Sequence, residues 1–156
     1  MSKLSFRWRF AIIAIVIGLV SIPTSLVLFR PPNLPAGAVV PAAAIVLLVG
    51  MKVFEGLALG TGIAFLIFGY PLLKRAGQSR MLTLLAYLAV GWYLVNWWPH
   101  DNLHIVNGTS NVWALLAIEY AFHCTMMAAA GVLAVFFYRG IRQPSPAAAA
   151  AEEIRV

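Results

Sequence analysis

"FAIIAIVIGLVSIPTSLVLF", residues 10–29, runs for twenty positions without a charged side chain. About 20 apolar residues is the length a helix needs to cross a hydrocarbon core of about 30 Å. Backbone groups inside lipid must be satisfied within a helix or a closed barrel. The run is continuous rather than alternating, so it reads as a helix. Three more apolar blocks follow, over residues 36–73, 81–98 and 112–138. The expected fold is an all-α integral membrane protein. It is a four-transmembrane-helix bundle over residues 1–142, followed by a flexible, Ala-rich cytoplasmic tail over 143–156.

Composition points the same way. Of 156 residues, 62% are hydrophobic and 10% charged, and the mean hydropathy is +0.89. A soluble domain carries about 25% charged residues. The first block follows Lys3, Arg7 and Arg9, as a secretory leader would. It is longer than the usual leader core of about 7–15 residues, so it is read as a retained span. The second block is nearly twice the length of one crossing. Pro41 can open a helix and Gly50 can break one. A long second helix, bent or broken, is therefore expected, with residues 36–50 either extending it or folding back as a re-entrant piece.

Basic residues in short loops are retained on the cytoplasmic side. They cluster at Lys3–Arg9, Lys74–Arg80 and Arg139–Arg142, while the segment after the third block has no Lys or Arg. Both termini are thus expected in the cytoplasm of a cell with this chain in its plasma or inner membrane. The segment "WWPHDNLH", residues 97–104, then lies on the non-cytoplasmic side. The net charge of +6 is spread over these clusters and forms no patch with interleaved aromatics, so no nucleic-acid partner is expected.

The remaining ionisable groups gather at one depth. Counting about 1.5 Å per helical residue, Glu55 lies about 28 Å from Lys74, and Glu119 and His123 about 30 and 24 Å from Arg139. His100, Asp101 and His104 belong to the loop that follows the third block. Glu119 and His123 are four apart and share a helix face. His100 and His104 do so too if Pro99 starts a short helix. Trp97 and Trp98 suit the headgroup level, and "NGTS", residues 107–110, offers a turn and a capping hydroxyl.

Imidazole and carboxylate donors suit Zn, Cu or non-haem Fe. The candidate transition-metal ligands are His100, His104, Glu119 and His123, with Glu119 and His123 facing the bundle interior. Asp101, Glu55 and Lys52 stand behind them as groups that orient a ligand or meet a substrate. A bland account competes with this one. Loop histidines at a membrane surface need no function, and Lys52 and Glu55, three apart, form a helical ion pair. Against it stands the cost of ionisable groups inside a span.

Gly56 and Gly60, and the small residues Ala128–Gly131, allow close helix approach, either inside the bundle or to a membrane partner or second copy. Cys124, Met126 and Met127 are read as filling apolar space. The chain has no Gly-rich phosphate loop, no Cys-x-x-Cys pair and no Gly-x-Ser-x-Gly elbow. Three functions stay open. One is an accessory or scaffold subunit of a larger membrane complex. Another is a metal-binding membrane protein or enzyme. The third is a binder or transporter of a lipid-like or protonatable molecule.

Overall fold

A computed structural model describes residues 5–29, 41–107 and 111–142, so the expected tail and residues 36–40 lie outside it. The described residues form helices α1 (Phe6–Leu28), α2 (Ala42–Phe68), α3 (Tyr70–Lys74), α4 (Arg80–Val95), α5 (Trp97–Asn107) and α6 (Val112–Arg142), with no strand among them. Helices α1, α2 and α6 are long and apolar enough to cross a membrane. A fourth crossing exists if α4 and α5, which meet at a 40° bend, count as one broken span.

Burial is inverted relative to a water-soluble protein. The buried positions are mostly small or polar, among them Ala64, Ala86, Ser25 and Thr83, while Phe54, Trp113 and Met127 project outward. Such a surface needs a bilayer as its solvent, and its helices meet through small residues. The hydroxyls of Ser21, Thr24 and Ser25 donate to carbonyls of their own helix, so these three groups need no partner from lipid.

The helices pack in the order α1, α2, α4, α6, and α5 folds over α2 and α6. The α1–α2 seam resolves the Gly56/Gly60 ambiguity. A Cβ on Gly60 would lie 2.0 Å from the Ala14 carbonyl oxygen, and one on Gly56 2.7 Å from that of Gly18. Neither neighbour is a side chain that can swing away. These glycines therefore serve packing inside the fold and are covered by α1, not available to a partner. Ala128, Ala130 and Gly131 do face outward.

Two expectations are corrected here. The second helix is unbroken through Gly50 and breaks instead at Gly69, where α3 takes over with Pro71 in its first turn. Residues 42–49 simply continue α2, so they are not a re-entrant piece. No loop separates the third block from "WWPHDNLH" either. The chain passes from α4 into α5 through Asn96 alone. Pro99 explains the bend, because its ring removes an N–H and crowds the carbonyl of Val95 four residues back. At the opposite end Gly77, with φ of 70°, turns the chain into α4. The cap of α6 is Asn111, whose Oδ1 accepts from the Ala114 N–H at 3.0 Å. Residues 108–110, where a capping hydroxyl was expected, lie outside the described residues.

Candidate metal centre

The 40° bend aims the histidine face of α5 at α6. His100 and His104 are one helical turn apart, and their Nε2 atoms lie 3.2 Å from each other. From α6, Glu119 places Oε1 3.1 Å from His104 Nε2 and Oε2 3.9 Å from His100 Nε2. One donor atom from each of the three residues lies within 4.8 Å of the others. These residues were named from spacing, and the fold brings them together.

The spacing has a chemical meaning. Ligands about 2.0–2.1 Å from a tetrahedral metal are separated by about 3.3–3.4 Å along each edge. The two separations made by His104 Nε2, 3.2 Å to His100 Nε2 and 3.1 Å to Glu119 Oε1, are within a few tenths of that edge, while the 3.9 Å from His100 Nε2 is measured to the other carboxylate oxygen, Oε2. Asp101 Oδ1 lies 3.2 Å from His100 Nδ1. When it accepts from Nδ1–H, the Nε2 lone pair of His100 points to the shared centre. The His100 ring also stacks on Phe122, with centroids 3.8 Å apart and planes at 21°, and Trp97 packs edge-on against Phe122. The ring is held on both its polar and its apolar side.

His123 is placed differently from its expected role. It stands on the rim, 63% exposed, and Glu119 is 42% exposed, so neither faces the bundle interior. The reason is the helical face that α6 turns toward α5, which Phe122 fills with its ring against Trp97 and His100. His123 Nδ1 lies 3.0 Å from Glu119 Oε2 and 2.9 Å from the Glu119 carbonyl oxygen. Its ring nitrogen meets the carboxylate and not an imidazole nitrogen of α5, and its ring stands edge-on to that of His100 with centroids 6.2 Å apart. The converging set is two imidazoles and one carboxylate.

Lys52 and Glu55 form a separate layer beneath the histidines. Lys52 Nζ donates to Glu55 Oε2 at 2.7 Å and to Asn102 Oδ1 at 3.2 Å. The Asn102 amide in turn donates to the Trp98 carbonyl at 2.6 Å, and Asn102 is 1% exposed. Asp101 is the other group facing Glu55. Glu55 Oε1 has no hydrogen-bond partner among the described residues. The layer lies deeper than the count from Lys74 implied, because the break at Gly69 removes α3 from that count. Gly56 packs beside Ser21, which puts Glu55 about 11 Å inside the Phe29 end of α1.

Asn102 escaped the sequence reading. Two residues beyond His100 on a helix, it is turned by about 200° to the face opposite the imidazoles. That offset was the available signal, and it points Asn102 at α2. Asn96 and Phe122 were also unread, since nothing in their spacing marks them. The chain matches no protein-family model, no curated protein and no solved structure.

Proposed function

We propose that this chain is a membrane metalloprotein in which His100, His104 and Glu119 hold one divalent transition-metal ion, with Zn²⁺ and Fe²⁺ the best-suited ions. What carries the reading is the convergence of three donor atoms from two helices on one point. Two imidazoles and a carboxylate leave coordination positions open, as catalytic zinc and non-haem iron sites do. The centre contains no sulfur donor, which disfavours Cu(I). A single proton shared between His104 and its two neighbours is the rival occupant of that point. Metal content settles which it is. Protein purified in detergent and loaded with Zn²⁺ should retain about one equivalent after desalting, and acidification should release it because imidazole ligands must be neutral to bind. Retention of no metal at neutral pH would leave the proton as the occupant.

In the proposed topology α4 and α5 together make the fourth crossing, both termini are cytoplasmic, and the metal centre lies toward the non-cytoplasmic face. The basic clusters at Arg7–Arg9, Lys74–Arg80 and Arg139–Arg142 support this orientation. A cysteine placed at Val106, which is exposed, in a Cys124→Ala background should react with an impermeant thiol reagent from the non-cytoplasmic side. Reaction only from the cytoplasmic side would invert the assignment.

An accessory role retains one support, the outward small residues Ala128, Ala130 and Gly131, where nothing lies within 4 Å of a Cβ on Gly131. That role predicts a stoichiometric partner and no retained metal, so the same purification separates the two readings.

A further inference from the structure

Between α4–α5 and α6 runs an apolar groove that ends at the histidines. Its upper part, about 360 Å³, is walled by Asn96, Pro99, His100, Ala121 and Phe122. The lower part, about 540 Å³, is walled by Leu66, Leu88, Val95, Ala129 and Val132. Trp92 and Thr125 line both parts, and their hydrogen bond of 3.1 Å marks the join. Ligand sites occupy roughly 300–1,000 Å³ and combine apolar walls with a few placed polar groups. Here the polar group is Asn96. It is 8% exposed, and its Nδ2 is closed off from the groove and has no hydrogen-bond partner among the described residues. An unmet buried donor costs about 1–3 kcal/mol, and a half-turn of the amide about its last side-chain bond brings that donor round to an acceptor in the groove.

We propose that this groove binds a membrane-dissolved single-chain molecule with a neutral, hydrogen-bond-accepting oxygen at its head, such as a long-chain alcohol or aldehyde. The head accepts from Asn96 beside His100, and the chain lies along α4 toward Ala129. No Lys or Arg is among the lining residues, so a phosphate or carboxylate head would lack a counter-charge there. The groove is open along its side, which lets an occupant enter from lipid. Occupancy of the groove stands on its own geometry; only the delivery of the head to a metal rests on the metal reading.

The test uses the full chain in phosphatidylcholine vesicles carrying a trace of a long-chain alcohol with a mid-chain diazirine. Irradiation should attach the probe to α4 and α6 peptides that line the groove, and excess unlabelled alcohol should compete against the background of vesicle lipid. Ala121→Trp fills the upper part and should abolish the competed labelling. Asn96→Leu keeps the bulk, removes the donor and should weaken the alcohol about fivefold to tenfold. Labelling that neither competes nor responds to either variant overturns the proposal. Co²⁺ substituted at the histidines supplies a separate readout, since its visible spectrum should shift when the alcohol binds. Competed labelling without Co²⁺ binding supports the groove and removes the metal reading. Co²⁺ binding with uncompeted labelling does the reverse.

Discussion

His104→Ala should lower Zn²⁺ affinity by more than a hundredfold, and Glu119→Ala should do the same, measured by competition with a chelator of known affinity. The expectation rests on what each variant leaves behind. His104 Nε2 is the atom closest to both other donors, at 3.2 and 3.1 Å, so its loss leaves only two ligands, too few to hold a metal ion tightly. Glu119→Ala removes the only carboxylate among the three. Groups that merely orient a ligand typically cost 10–100-fold when removed. His123→Ala and Asp101→Asn should fall in that lower range, because they touch Glu119 and His100 respectively and supply no converging atom. A His123→Ala loss as severe as that of His104→Ala would show that His123 enters the coordination sphere, and the three-residue set would be wrong.

The helical class and the crossing blocks were legible because lipid imposes one strong constraint: long apolar runs that satisfy their own backbones. The His/Glu cluster was legible for a related reason. Ionisable residues are so rare in the spans that position along the helix nearly identifies them. His100 and His104 at one helical turn, and Glu119 at matching depth, needed only a helix to bring them together. What stayed hidden depended on angles. Pro99 was readable as a helix start, but the same residue bends a continuing helix when α4 leaves no loop before it. That bend decides that α5 leans on α6. The break at Gly69 moved Glu55 deeper, because a proline near the end of an apolar block shortens the span without interrupting its hydropathy. His123 shares a face with Glu119, yet a face on a helix spans a wide arc. Phe122, not His123, occupies the centre of that arc here, with its ring 5.0 Å from that of Trp97.

Lys52→Met should destabilise the protein by roughly 3 kcal/mol, followed by denaturant unfolding in detergent, since breaking a buried ion pair exposes the desolvation cost of the survivor. The survivor is Glu55, 7% exposed, with one oxygen already lacking a donor and the Lys52 ammonium 2.7 Å from the other. The lower end of the usual range applies because the Lys52 side chain keeps 20% exposure. Glu55→Leu should cost less, as Lys52 retains Asn102 Oδ1 at 3.2 Å and can reach outward along its flexible stem. The double variant Lys52→Met/Glu55→Leu then discriminates. If the two charges exist for each other, removing both restores an apolar contact between α2 and α5 and recovers all but about 1 kcal/mol. The remainder is the hydrogen bond lost by Asn102. Penalties that simply add would mean no coupling between the two side chains.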